Sequence, residues 1–428
     1  MHDLAIYSRR VILPDEIIEG TVFIENGKIS EVRQGRNTEA IGNLIDAGDD
    51  VMMPGIIDPH VHINEPGRTQ WEGFETGTLA ALHGGITCIT DMPLNSSPVT
   101  TTVKALLEKI KSSENKLHTK CFFWGGIVPG NEKEIEPLIK NGVRGFKAFL
   151  THSGIDDFPN VTEDDLKKVM PIIAKYDLPL LVHCELQSEF GFRSGDPRSY
   201  NNYLNSRPDK WETDAVKLMI KLCKEFNCHV HIVHLSSSQS LSLVAEAKAK
   251  NLPVTCETAP HYLYFNAEDI SDGNTLYKCA PPIRNKANNE LLWSALKSGL
   301  INFIATDHSP SLPSMKNLDT GNFMTAWGGI ASLQFSLPIV WTAAQKHNAT
   351  LNDICRWLCE EPAKLLKLEN KNGKIKTGYD ADLVIWNPEK QFTVTENIIK
   401  HKHKETPYLN KTLKGTVEQV YIGGERKF

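Results

Sequence analysis

The sequence predicts an α/β fold: a (β/α)8 TIM-like barrel carrying a small β-sandwich domain built from both chain termini. Three observations predict it. Short β-branched apolar runs alternate with longer helical patterns through the middle of the chain, the order that gives parallel strands and crossover helices. Strand-like segments without intervening helices recur at both ends. Ligand-type side chains gather at the ends of the central runs, where a barrel keeps its active site. A length of 428 residues suits one large barrel with a modest companion.

Residues 1–54 hold the runs Leu4-Ala5-Ile6-Tyr7 and Thr21-Val22-Phe23-Ile24, the second ended by the turn Glu25-Asn26-Gly27-Lys28, and form the N-terminal part of the small β-domain. Residues 55–370 form the barrel, with strands beginning at roughly Gly55, Ile86, Lys120, Val143, Leu180, His229, Pro253 and Ile301. After Pro208-Asp209, the residues Trp211, Ala215, Leu218, Met219, Leu222 and Phe226 recur at spacings of three and four, an amphipathic helix whose apolar face packs on the barrel. Residues 371–428 return to the β-domain through Ala381 to Trp386 and Thr416 to Ile422, separated by Asn387-Pro388 and ended by Gly423-Gly424.

Composition narrows the function. A formal net charge of −5 offers no basic field for nucleic acid, and the Lys400 to Lys404 stretch reads as a solvated loop. The nine cysteines are odd in number and scattered through apolar runs, which points to a reducing compartment, not a disulfide framework. No leader-like N-terminus and no run of about 18 apolar residues occurs, so a cytoplasmic chain without membrane contact is expected.

The chemistry lies in five strand ends. His60 and His62 fall on one face of the first strand by its period of two, so both imidazoles can meet one ion, or both can be satisfied core histidines. Lys147 sits inside the apolar run Val143 to Leu150, where an unpaired ammonium is costly. It can snorkel or pair with an acid, or it can react as the neutral amine with CO2 to give an anionic carbamate that bridges two cations. Strand five ends in His183-Cys184, the cysteine reading as core. Strand six offers His234 by position at its end and His231 as the competitor. Asp307 follows the eighth apolar run and can ligate, act as base or cap a helix. Mixed nitrogen and oxygen ligands without paired thiolates suit zinc, with manganese or cobalt as substitutes.

This ordered set resembles the amidohydrolase superfamily across almost the whole chain, and within it the allantoinase family. Asp58-Pro59-His60-Val61-His62-Ile63-Asn64-Glu65-Pro66-Gly67-Arg68, Asp91-Met92-Pro93-Leu94-Asn95-Ser96 and Ala326-Trp327-Gly328-Gly329-Ile330 look like that family's stretches. The resemblance implies that His60, His62, carboxylated Lys147, His183, His234 and Asp307 bind two divalent metal ions, which settles strand six on His234. It also implies hydrolysis of allantoin to allantoate in purine catabolism and a homotetramer. Dihydroorotases share the ligand set but typically place an arginine two residues after the second histidine, where this chain has Asn64. Arg68 nearby could replace it as a carboxylate clamp. Leu94 between Pro93 and Asn95 also departs from the dihydroorotase pattern. Non-enzymatic cytoskeletal relatives have lost metal ligands that this chain keeps.

The expected mechanism is attack on a ring carbonyl by a hydroxide bridging the two ions, with Asp307 carrying the proton to the departing nitrogen. Asn64, Asn95, the main chain at Cys279 and His308 are candidate substrate contacts. Ser311 to Phe323 reads as a long barrel loop or as a lid.

Overall fold

The computed structural model describes residues 2–37, 43–188 and 195–428. The N-terminal part supplies five strands: β1 (Leu4–Ile12), β2 (Ile17–Glu25), β3 (Lys28–Gln34), β4 (Leu44–Asp46) and β5 (Val51–Pro54). The β2–β3 turn is tight because Asn26 and Gly27 both take positive φ, 50° and 73°, the combination a two-residue hairpin requires. Eight central strands follow: β6 (Ile56–Val61), β7 (Ile86–Asp91), β8 (Lys120–Phe123) with its continuation β9 (Gly125–Gly126), β10 (Phe146–Phe149), β11 (Leu180–His183), β12 (Val230–Ile232), β13 (Val254–Thr258) and β14 (Phe303–Ile304). Each begins within about three residues of its expected start.

The strands β6-β7-β8 and β9-β10-β11-β12-β13-β14 form two parallel ladders. The break between them lies at Trp124, whose indole Nε1 leaves the ladder direction to donate to Pro59 O at 2.8 Å. On the other side the ring closes where His62 N–H donates to His308 O at 2.8 Å and Val61 bridges His308 in parallel. Period two then sorts the side chains. Leu180 and Val182 pack outward into the core shared with the helices, while Leu181, Ile57 and Phe303 fill the barrel interior. Lys147 is register partner of Leu181, so its side chain belongs to the interior set.

The helix Asp209–Phe226 forms as its spacing predicts. Trp211, Ala215, Met219 and Leu222 are buried, Leu218 and Phe226 pack at the margin of the core, and the helix stops where Asn227 turns left-handed at φ 48°. Fully burying Met219 and Leu222 contributes about 1.5–3 kcal/mol each, which sets this helix firmly against the strands that carry the site.

The C-terminal strands β15 (Leu383–Thr393), β16 (Thr412–Ile422) and β17 (Glu425–Arg426) join the N-terminal ones through β15 against β5. The β-sandwich expected from both termini takes the form of eight strands in one continuous ladder, β17-β16-β15-β5-β1-β2-β3 with β4 on β1. They surround a core of their own that includes Leu4, Ile6, Val22, Met52, Leu383 and Tyr421. One expectation fails here. The Lys400 to Lys404 stretch is not a free solvated loop: His401 is buried, Lys402 N–H donates to Glu72 Oε2 at 3.1 Å, and His403 Nε2 bonds Gln70 O at 2.7 Å. All nine cysteines are free. Among the described residues no helix is long and apolar enough to cross a membrane.

Candidate active site

The C-terminal ends of the barrel strands open into a cavity of about 700 Å³ whose wall includes His60, His62, Lys147, His183, His234 and Asp307. All six are buried. The two histidines of the first strand meet as their alternation requires, with ring centroids 5.6 Å apart. Their Nε2 atoms lie 3.1 and 3.4 Å from Asp307 Oδ1. Across the cavity His183 Nδ1 faces His234 Nε2 at 3.0 Å, and the Lys147 ammonium sits 4.9 Å from the centre of the Phe149 ring. His234 and Asp307 reach the cavity through left-handed backbone, φ 38° and 46°. Such conformations are costly for residues other than glycine and persist where the surroundings enforce them.

Carboxylates stand behind two of these imidazoles. Glu257, from β13, lies against His60 Nδ1 and takes His231 Nε2 at 3.1 Å. Glu185 takes His183 Nε2 at 2.8 Å and is gripped from the far side by Arg207, whose Nε donates at 3.0 Å. A carboxylate behind an imidazole fixes its tautomer and leaves the other nitrogen free to ligate. His60 Nε2, His62 Nδ1, Lys147 Nζ and His234 Nδ1 are buried without a hydrogen-bond partner. Buried polar atoms left so on four residues of one cavity wall carry a desolvation cost, which a bound cation would offset where it meets them. The ligand atoms of His60, His62 and Asp307 all lie within 4.8 Å of one another, and the donor set therefore fits divalent cations.

The electrostatics follow from burial and these pairs. Burial lowers the Lys147 ammonium to about 8, against the pull of Asp307 and Glu257, which brings the neutral amine within reach near physiological pH. Burial alone would raise Glu257, but His60 and His231 outweigh it and hold the carboxyl at about 2. Burial likewise opposes ionisation of Asp307, and His60 with His62 overcomes it, keeping that carboxyl well below the ordinary range. Burial pushes the Cys184 thiol up, so it does not offer the thiolate a metal takes.

The competing histidine of strand six is spoken for. His231 bonds Glu257 through Nε2 and Thr255 through Nδ1, the latter at 2.8 Å, and stacks on Phe303 inside the barrel. His234, two residues past the strand, is the one on the cavity. Sequence reasoning missed Glu257 and Glu185. The signal was present: each is a carboxylate in or directly after an apolar strand, as improbable there as Lys147.

Of the expected substrate contacts, Asn95 lines the cavity with its Oδ1 unpartnered. Asn64, Cys279 and His308 are not brought to the cavity surface. Asn64 Nδ2 is used by Pro310 O at 3.2 Å. The Cys279 carbonyl accepts from Tyr203 at 2.6 Å. His308 turns away, its Nδ1 accepting from Ser332 and Leu333 N–H at 3.1 and 3.3 Å. Arg68 is also outside: it donates to Asn95 O at 2.9 Å, pairs with Asp157 at 3.2 Å and lies over Trp71. The remaining cations of the wall, Arg207 and Lys278, are engaged by Glu185 and by Ala326 O and Met324 O. From the Ser311 to Phe323 segment, Met315 and Asn317 reach the wall, and Met315 O accepts from Trp327 N–H at 2.7 Å.

Comparison with known proteins agrees with this geometry. The amidohydrolase family profile matches residues 51–427. Allantoinase from Streptomyces avermitilis is 44% identical over 99% of this chain and 95% of its own length. Allantoinase from Arabidopsis thaliana is 43% identical over 99% and 87%, and that from Saccharomyces cerevisiae 39% over 96% and 88%. Among solved structures, L-hydantoinase (dihydropyrimidinase) from Arthrobacter aurescens superposes with a TM-score of 0.94 at 28% identity, covering all of this chain and 96% of that one.

Proposed function

The chain belongs to the amidohydrolase family and stands with its allantoinases, and we propose that it hydrolyses the hydantoin-ring amide of allantoin to allantoate in purine catabolism. The substrate reading is carried by one observation: among the described residues, every cation of the cavity wall other than Lys147 is committed to a protein acceptor, and Arg68 lies outside the wall. A wall whose described guanidinium and ammonium groups are already engaged suits a neutral ring and disfavours dihydroorotate, which brings a carboxylate.

In this reading His60, His62, His183, His234, Asp307 and Lys147, the last as its CO2-derived carbamate, hold two divalent ions. Zinc is the best fit, with manganese or cobalt as substitutes. Bound there, the ions supply an acidified water near neutral pH and polarise a carbonyl. Asp307 accepts the proton released as water's oxygen bonds the ring carbonyl carbon. It then passes that proton to the ring nitrogen as the C–N bond breaks, leaving a carboxylic acid that loses its proton to solvent as allantoate. Glu257 and Glu185 hold the imidazoles of His60 and His183 in orientation. Asn95 offers an amide to a ring or ureido group. The barrel spans 55–370 and the terminal β-domain comprises 1–54 and 371–428. The protein works as a homotetramer in the cytoplasm without nucleic acid or membrane partners.

Purified metal-loaded protein offered allantoin, dihydroorotate, hydantoin and dihydrouracil should prefer allantoin by kcat/KM. Preference for dihydroorotate would overturn the assignment.

A further inference from the structure

The cavity wall also includes the stretch Met324 to Gly329, whose main chain is held by two buried lysines. Lys278 Nζ donates to Ala326 O at 2.5 Å and to Met324 O at 3.2 Å. Lys316 Nζ donates to Trp327 O at 3.2 Å and also to Gly329 O. Both lysines are buried, and among the described residues neither has a carboxylate within ion-pair distance. Gly329 N–H returns to Lys278 O at 2.9 Å, so the stretch is tied at both edges. Lysine N–H groups bonded to the carbonyls of one segment fix that segment's main chain, because releasing a carbonyl strands buried polar groups without partners.

Within this stretch the two glycines differ. A Cβ at Gly329 would stand 2.4 Å from Ser309 O, so this glycine is required by the neighbouring main chain. A Cβ at Gly328 would meet nothing closer than 3.9 Å, at Ala280 and Cys279, and Gly328 is absent from the residues with positive φ. Neither backbone conformation nor protein packing explains a glycine at 328. Gly328 lines the cavity, and its N–H has no hydrogen-bond partner among the described residues. A side chain at 328 would therefore have open space beside it at a position that lines the cavity.

We propose that Gly328 is a specificity-determining position whose missing side chain leaves room for the substrate, and that Lys278 and Lys316 are positioning residues that keep this wall from retreating. The inference rests on the reading of the cavity as a cyclic-amide site. Gly328→Ala should retain wild-type metal content and thermal stability while KM for allantoin rises about tenfold, the usual worth of one misplaced methyl in a fitted pocket, with kcat changed less than about twofold. Lys316→Met should move KM in the same direction at unchanged metal content. An unchanged KM in Gly328→Ala overturns the proposal. If the wild type turns over a different cyclic amide, the comparison is made on that compound, so failure of the substrate assignment and failure of this inference are separate results.

Discussion

The two sides of the cavity are built by different means. One side is made of strand ends, His60, Lys147 and His183, with the turns that deliver His234 and Asp307; Glu257 backs His60 and Glu185 backs His183. The other is loop main chain, Met324 to Gly329, held by Lys278 and Lys316. The strand side leaves nitrogen atoms without partners. The loop side spends the N–H groups of its lysines on its own carbonyls. The difference separates two tasks, since the first side is arranged for cations and proton transfer and the second for the shape of an uncharged ring.

Substitutions can test that separation. On the strand side, Lys147→Ala should reduce turnover to background and abolish metal retention together, measured by steady-state assay and elemental analysis; a metal-loaded, active variant breaks the comparison. Asp307→Asn should fold normally by circular dichroism while kcat falls about 10²–10⁴-fold, the range for a lost proton-transfer group. Glu257→Gln should weaken metal affinity about 10–100-fold in a chelator competition, because His60 loses the carboxylate that orients it. The smallest effect belongs outside both walls. Arg68→Ala should raise KM for allantoin no more than about fivefold, the worth of a partly exposed pair at up to ~1 kcal/mol. Collapse of allantoin turnover in that variant would bring Arg68 back as a substrate clamp.

The strand side was legible in the sequence because a period of two and the strand-end rule turn position into direction. Spacing places His60 and His62 on one face and Lys147 and His183 within apolar strands, while their role as ligands is what the family resemblance implies. Strand six was ambiguous because its last histidine lies beyond the ladder, in a left-handed turn at φ 38° that no periodicity encodes. The orienting carboxylates were readable in principle, since Glu257 interrupts an apolar strand as conspicuously as Lys147 does. The loop side was not readable. Asn64, Cys279 and His308 were placed near the substrate by their proximity in sequence to strand ends, and long-range bonds to Pro310, Tyr203, Ser332 and Leu333 direct their polar groups elsewhere. The grip of Lys278 and Lys316 joins residues as much as 48 positions apart, which local pattern does not reveal. The same limit applies to Lys400 to Lys404, whose composition suggests solvent and whose backbone instead bonds Glu72.

The central claim, that the strand side acts only when loaded with cations, is tested most directly by stripping the protein with a chelator and returning zinc in measured steps with bicarbonate present while allantoin hydrolysis is followed. Activity should be absent in the stripped protein and should rise to a plateau at two ions per chain. Full hydrolysis by metal-free protein would contradict the account.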